Sequence, residues 1–313
     1  MKRILVTDNT HPILCEKLRA AGHHCDVQVD LSYSELLSVV NNYDAMVVRS
    51  KVEIDRNFLS QVNTLKCIGR VGAGMETIDV DYAEARGIRC LNSPEGNRDA
   101  VGEHALGILL ALFNKIVKAN NEIRNGYWKR EDNRGLEIKG KTIGIIGFGN
   151  MGSSFAKRLQ GFECNIISYD KYKSHYAPDY VEEVDLNELY RRADVVSFHV
   201  PLTDETHYMA DAAFFNSFTK PIYLINTARG AVVKTVDLVS AMQTGKVLGV
   251  ALDVIEYENM SKDGLDLESL TPDFKYLLQA DNAVLTPHIG GWTVESKYKL
   301  ADVLADKIID VLK

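Results

Sequence analysis

Apolar and polar positions along this chain follow two alternating periods. Residues 4–7, 25–29, 45–49, 65–70 and 88–91 read as short strands, the first of them buried. Between them, residues 12–20, 34–40, 56–60 and 80–86 carry apolar side chains at helical spacing, and Gly22 and Gly87 close the first and last of these helices. Strands alternating with helices about five times predict a parallel sheet covered on both faces. A second series places strands at 142–146, 165–169, 195–198, 223–226, 249–252 and 283–285. Helices fit between them up to 159 and at 186–191, 211–216 and 235–244.

Residues 92–98 break the first series with Pro94 and Gly96. One long helix is predicted after them, over 100–123, apolar in its first half and polar in its second. Gly126 ends it, and the charged stretch 124–136, with Tyr127 and Trp128, reads as an irregular surface excursion. The final segment 293–313 is helical but has no sheet of its own to cover. The first series is too short to close on itself, so the tail is expected to return to it. The predicted fold is therefore α/β, with two Rossmann-like or flavodoxin-like doubly wound parallel-sheet domains. One is discontinuous, 1–98 plus 290–313, and the other spans 99–289. No residue-level repeat links the two series.

Composition narrows the function classes. Of 313 residues, 46% are hydrophobic, ample for two packed cores. Lys and Arg number 36 against 43 Asp and Glu, a net charge of −7, which supplies no basic surplus for binding nucleic acid through phosphates. A small anionic substrate needs only a few placed arginines. The start Met-Lys-Arg-Ile-Leu-Val-Thr is too short an apolar run for a signal peptide, and the apolar stretch 105–113 is too short for a bilayer span. A cytoplasmic location is expected, with no membrane contact. Cys15, Cys25, Cys67, Cys90 and Cys164 are scattered and odd in number, so reduced thiols are expected and no metal site.

Gly147-Phe148-Gly149-Asn150-Met151-Gly152 follows an apolar strand and opens a helix. In such a Gly-x-Gly-x-x-Gly turn, Gly147 makes the tight bend, Gly149 admits a pyrophosphate to the backbone and Gly152 lets helix and strand pack closely. The N–H groups of Asn150 and Met151 then face the phosphates at the positive end of the helix. The next strand ends in Asp170, where a carboxylate can accept from ribose hydroxyls and repel a 2′-phosphate. NAD rather than NADP is the cofactor these residues point to. Lys171 and Lys173 leave room for some NADP tolerance.

Chemistry for an alcohol requires a base and a cation. His288, in Thr286-Pro287-His288-Ile289-Gly290-Gly291, follows a predicted strand directly, as does Arg229 in Asn226-Thr227-Ala228-Arg229-Gly230. The carboxyl ends of strands are where an open parallel sheet places its ligands. Glu258 lies in an acidic loop and cannot be told from Glu256 by sequence alone.

Several blocks in order now point to a family. They are Val48-Arg49-Ser50, Gly69-Arg70-Val71-Gly72-Ala73-Gly74, Asn92-Ser93-Pro94-Glu95-Gly96-Asn97, the Gly-rich turn, His199-Val200-Pro201-Leu202-Thr203, Asn226–Gly230, Ala251-Leu252-Asp253-Val254 and Thr286–Gly291. With these the chain resembles the D-isomer-specific 2-hydroxyacid dehydrogenases from end to end. The resemblance implies that His288 is the acid/base, that Glu258 is the carboxylate paired with it, and that Arg229 clamps the substrate carboxylate. It implies a cofactor site that also takes in Asn97, Pro201, Thr206, Thr227, Ala228, Asp253 and Gly290, with His199 structural rather than catalytic.

Within that family the chain is most similar to the 3-phosphoglycerate dehydrogenases that begin serine biosynthesis. That likeness implies phosphate at Arg49, carboxylate nearer Arg70 with the backbone of Val71, Gly72, Ala73 and Gly74, and Arg130 lent to a neighbouring subunit of a homodimer built on residues 100–135. It also leads us to expect a short form lacking the C-terminal regulatory domain. Two features depart from it. Asn259 stands where the family usually has Pro after the catalytic Glu, and the connection 259–280 is long. The alternatives left open are a D-lactate, glyoxylate/hydroxypyruvate or branched-acid dehydrogenase, and, from another class, an NAD(H)-sensing interaction protein.

Overall fold

The computed structural model describes residues 1–258 and 270–313 and divides into two compact units, Met1–Asp99 with Trp292–Lys313, and Ala100–Gly291. In the first unit, β1 (Arg3–Val6), β2 (His24–Val27), β3 (Ala45–Val48), β4 (Cys67–Arg70) and β5 (Arg89–Leu91) form a parallel sheet in the order β2-β1-β3-β4-β5. Helices α1 (Ile13–Ala20), α2 (Tyr33–Val40), α3 (Arg56–Ser60) and α4 (Val80–Ala85) connect them.

Successive strand side chains point to opposite faces, and both faces are covered, which is why the central strands β1, β3 and β4 are largely apolar. Ile4, Val6, Val47 and Cys67 pack with Leu14 and Leu18 of α1 and with Leu304 and Ile308 near the C-terminus. Leu5, Met46, Val48 and Ile68 pack on the other face with Leu36, Phe58 and Leu59. The tail therefore shares the cover of one face with α1. Lys17 ties it to α1 through Asp302 and Asp306, both at 2.7 Å.

Helix α5 (Arg98–Phe113) starts two residues before the second unit, and α6 (Ile116–Arg124) follows it. The second unit's seven parallel strands are β6 (Thr142–Ile146), β7 (Asn165–Tyr169), β8 (Glu182–Glu183), β9 (Val195–Phe198), β10 (Ile222–Asn226), β11 (Val247–Leu252) and β12 (Ala283–Leu285). Their order is β12-β11-β10-β9-β6-β7-β8. The chain builds outward from β6 through β7 to β8, then returns to β6's other side with β9 and builds the opposite way. The strand order thus reverses at β6 and β9, where such a sheet opens a crevice at its carboxyl ends. Helices α7 (Asn150–Leu159), α8 (Leu186–Arg192), α9 (Ala212–Ser217), α10 (Thr235–Gln243) and α11 (Pro272–Gln279) connect the strands, and α12 (Val294–Leu312) is the tail. The α/β class and the returning C-terminal helix agree with the sequence pattern.

Three local expectations are corrected. The helix predicted over 100–123 is two helices, bent by 60°. Lys115 takes a left-handed φ of 51°, and the Phe113 carbonyl accepts the N–H of Leu136 at 2.9 Å instead of continuing the helical ladder. Only α5 carries buried residues, whereas α6 has none, so the break falls where the core ends. The connection 259–280 is not loop throughout: residues 272–279 form α11, capped by Thr271, whose hydroxyl accepts the Phe274 N–H. Phe274 and Leu277 bury its apolar side. The remainder of that predicted connection, 259–269, lies outside the described residues. The short edge strand β8 had no apolar signal to predict it. No single helix among the described residues is long and apolar enough to cross a membrane.

Candidate active site

The Gly-rich turn leaves β6 at Gly147, whose φ of +90° excludes most side chains. At Gly152 a Cβ would lie 2.1 Å from the Gly147 carbonyl oxygen, so this helix turn can press on the loop only as glycine. Gly149 differs: nothing lies within 4 Å of where its Cβ would be. It is the N-cap of α7, which has no side-chain cap, so the first-turn N–H groups at Asn150 and Met151 are left for another acceptor. Asp170, just after β7, braces the turn. Its Oδ2 accepts the Phe148 N–H at 2.9 Å and its Oδ1 the Tyr172 N–H at 3.1 Å. Lys173 donates to the Phe148 carbonyl at 2.8 Å.

Beside this turn, the His199 N–H donates to the Ile146 carbonyl at 2.8 Å. Its buried ring lies between Ser197 Oγ, 2.8 Å from Nε2, and Thr227 Oγ1, 3.5 Å from Nδ1. Burial pushes its pKa down to about 3, so the ring is neutral and ties the ends of β9 and β10 together. Thr206 donates to the Pro201 carbonyl at 2.6 Å and holds the loop after β9.

At the end of β10, buried Asn226 folds the next three residues around itself. Its Nδ2 donates to the Arg229 carbonyl at 2.9 Å, and its Oδ1 accepts the Ala228 N–H at 3.0 Å. Arg229 in turn donates to the Ala228 carbonyl at 2.6 Å.

Asp253, 3% exposed, closes β11. Its Oδ1 accepts from Thr286 Oγ1 at 2.6 Å and from the Ile289 N–H at 2.9 Å, and its Oδ2 accepts the Gly290 N–H at 2.8 Å. His104 Nε2 of α5 stands 3.2 Å from Oδ1 and 3.0 Å from the Thr286 hydroxyl. Burial alone would raise this carboxyl, but the bonds from His104, Thr286 and the two backbone N–H groups outweigh it and hold the pKa below the ordinary carboxylate value.

Above this network sits His288, with a left-handed φ of 54°. Its N–H donates to the Asp253 carbonyl at 2.7 Å, which over-determines an otherwise costly conformation. Its ring Nδ1 meets Glu258 Oε2 at 2.9 Å, the imidazole being 48% and the carboxylate 35% exposed. The bond to Glu258 raises the His288 pKa above its ordinary value, against burial and the nearby charge of Arg229. Glu256, indistinguishable from Glu258 in sequence, is committed elsewhere: it accepts from Tyr208 at 2.5 Å and from the Thr235 N–H at 2.9 Å.

The remaining candidates lie apart from this cluster in the chain. In the first unit, Arg49 follows β3 and Arg70 ends β4. The Arg49 N–H donates to Asp8 Oδ2 at 2.7 Å, and Arg70 Nε donates to the Arg49 carbonyl at 3.1 Å. The bend after β4 starts with the Val71 N–H on the Val48 carbonyl. Gly72 lies under the Arg70 guanidinium, Asn92 holds the Ala73 carbonyl at 2.6 Å, and Gly74 follows. Asn97 Oδ1 is buried with no hydrogen-bond partner among the described residues. Arg130 is exposed in the turns after α6. Sequence reasoning missed His104, Thr286 and Asn226 as parts of the site. The available signal for His104 was a histidine at the edge of the apolar stripe formed by Val101, Ala105, Ile108 and Leu112.

Residues 106–290 match the D-isomer specific 2-hydroxyacid dehydrogenase, NAD binding domain. The chain is 34% identical over 313 residues to a D-3-phosphoglycerate dehydrogenase of Archaeoglobus fulgidus, covering 99% of this chain and 57% of that protein. It is 37% identical to a glyoxylate reductase of Thermofilum pendens, covering 92% of this chain and 86% of the reductase. The crystal structure of the TT0316 protein from Thermus thermophilus superposes with a TM-score of 0.82 at 31% identity, over 99% of this chain and 96% of that one. This chain spans little more than half the length of the phosphoglycerate dehydrogenases it matches. It belongs to the D-isomer specific 2-hydroxyacid dehydrogenases, and its second unit carries that family's NAD-binding domain.

Proposed function

We propose that the protein interconverts a D-2-hydroxyacid and its 2-oxoacid with NAD, and that the pair is 3-phospho-D-glycerate and 3-phosphohydroxypyruvate. The observation that carries the redox reading is the His288–Glu258 pair. With Nδ1 bonded to Glu258, the ring presents Nε2 to a substrate hydroxyl. In oxidation Nε2 takes the hydroxyl proton, and Glu258 stabilises the imidazolium that results. In reduction the same nitrogen returns a proton to the carbonyl oxygen. Arg229, its backbone fixed by Asn226, holds the substrate carboxylate and polarises the reacting oxygen.

The residues around the Gly-rich turn fit a dinucleotide. Open space at Gly149 and uncapped N–H groups at Asn150 and Met151 suit a pyrophosphate. Asp170 keeps lone pairs beyond the two bonds that brace the turn, and these suit ribose hydroxyls while disfavouring a 2′-phosphate. Pro201, Thr206, Thr227, Ala228, Asp253 and Gly290 would flank the nicotinamide half, with the structural His199. When bound, NAD supplies the two-electron acceptor for the hydrogen at substrate C2.

The phosphorylated substrate is supported by the cations Arg49 and Arg70, with Arg130 contributed across a homodimer. The similarity to a glyoxylate reductase over most of that protein's length favours glyoxylate or hydroxypyruvate as a second reading. NADH absorbance with 3-phosphohydroxypyruvate, hydroxypyruvate, glyoxylate, pyruvate and 2-oxoisocaproate decides between them. The phosphorylated acid is expected to lead by about a hundredfold in kcat/KM, a difference of about 2.7 kcal/mol. An unphosphorylated acid in the lead overturns the substrate assignment. Silence on all of them overturns the dehydrogenase reading.

A further inference from the structure

Trp292 lies just beyond the Thr286–Gly291 block and is 67% exposed. The Arg49 guanidinium carbon sits 4.3 Å above the centre of its ring. The other arginines stacked on aromatic rings in this unit also have an acceptor for their guanidinium: Arg3, over Tyr43, pairs with Asp26; Arg56, over Tyr82, pairs with Asp79; and Arg86, also over Tyr82, donates to the Leu59 carbonyl. Arg49 has the ring alone. Among the described residues, no carboxylate or carbonyl accepts from its guanidinium; the bond to Asp8 uses its backbone N–H.

A guanidinium held by its face keeps all five N–H donors at its edge, the geometry that suits an oxyanion. The second cation is coupled to the first, because Arg70 Nε donates to the Arg49 carbonyl. We propose that Trp292 is a specificity-determining residue, an aromatic ledge that aims Arg49 at the phosphate monoester of the substrate. This rests on the phosphorylated-acid reading above and names the residue that would enforce it.

The test compares 3-phosphohydroxypyruvate with hydroxypyruvate in the whole chain and in the variants Trp292→Ala, Trp292→Phe and Arg49→Ala. Trp292→Ala is expected to raise KM for the phosphorylated acid about tenfold, with kcat and the hydroxypyruvate KM within about twofold of the parent. Trp292→Phe restores most of the loss, and Trp292→Ala adds nothing further in an Arg49→Ala background. An equal rise in KM for both acids, or no rise for either, overturns the proposal, since a merely structural indole acts on both alike. The chain has two tryptophans. A Trp128→Phe variant therefore reports Trp292 alone, and inorganic phosphate should change its fluorescence saturably, an effect lost with Arg49→Ala. No response to phosphate overturns the proposal even where Trp292→Ala fails to fold. The two readings fail separately: a parent enzyme that prefers hydroxypyruvate sinks the substrate assignment, whereas a parent that prefers the phosphorylated acid and a Trp292→Ala variant that keeps this preference sink only the ledge.

Discussion

Each sheet sets one buried aspartate at the carboxyl end of a strand, and each uses it to hold the loop that follows the neighbouring strand. Asp8, after β1, accepts the N–H of Arg49 beyond β3; Asp253, after β11, accepts the N–H groups of Ile289 and Gly290 beyond β12. The two strand pairs are adjacent and parallel. The difference lies in what surrounds the carboxylate. Asp8 fixes one peptide group, and the side chain beyond it is left to a ring stack. Asp253 gathers a hydroxyl, a histidine and two backbone N–H groups, and its own carbonyl takes the N–H of His288. On the proposed function, capturing an anion tolerates a single anchor, because an oxyanion can meet a guanidinium at several edges. Moving a proton requires one nitrogen at one place, so the backbone beneath it is fixed from several sides.

The largest expected effect tests whether the second region is where chemistry happens. His288→Ala should lower kcat about a thousandfold while leaving NADH binding, measured by fluorescence titration, near the parent value. A loss below tenfold would move the acid/base elsewhere and dissolve the contrast. Next come the two aspartates. Asp253→Asn sets an amide among donors that had been satisfied by a charge and is expected to cost about 3 kcal/mol in urea unfolding, against about 1 kcal/mol for Asp8→Asn. Because the Asp253 carboxyl is held below its ordinary pKa, its contribution is present at neutral pH and is lost as the pH falls through that lowered value. The stability gap between parent and Asp253→Asn should therefore narrow in acid. Equal costs for the two variants at neutral pH would show that the extra donors on Asp253 add nothing.

The repeated strands were legible because most are buried on both sides and so largely apolar. The strands 142–146, 165–169, 195–198 and 283–285 fall on the residues predicted. The helix break at Lys115 was not legible, since what ends α5 is the distant Leu136 taking the Phe113 carbonyl, a bond that leaves no periodic trace. At the site, the Gly-rich turn was legible by local spacing, and His288 by its place directly after a predicted strand. The choice of Glu258 over Glu256 was not, because it depends on Tyr208 and Thr235 occupying the latter. His104 was hidden for the same reason: its partners Asp253 and Thr286 are far along the chain.

His104 gives a smaller effect and tests how far the bracing extends. His104→Leu removes one donor to Asp253 while Thr286, Ile289 and Gly290 remain. A loss of about 1.5 kcal/mol in stability and a fall of a few fold in kcat are expected, with KM little changed. A large rise in KM instead would mean that His104 meets the substrate rather than acting through Asp253.

The smallest effect separates the two carboxylates that act on His288. Glu258 raises its pKa directly through the bond to Nδ1, while Asp253 contributes only as a more distant charge. Reduction needs the imidazolium, so its rate should fall as the pH rises through that raised value; oxidation needs the neutral ring and should rise over the same interval. Glu258→Gln keeps a hydrogen-bonding side chain but removes the charge, leaving Arg229 to oppose protonation. Both limbs should then move to lower pH, with the acid plateau of the reduction rate nearly unchanged. Asp253→Asn should move them in the same direction by less, because its main work is on the backbone. Full pH–kcat profiles of both variants in both directions measure this, and a larger displacement in Asp253→Asn would reverse the division of labour between a buried carboxylate that holds the loop and a half-exposed one that sets the proton.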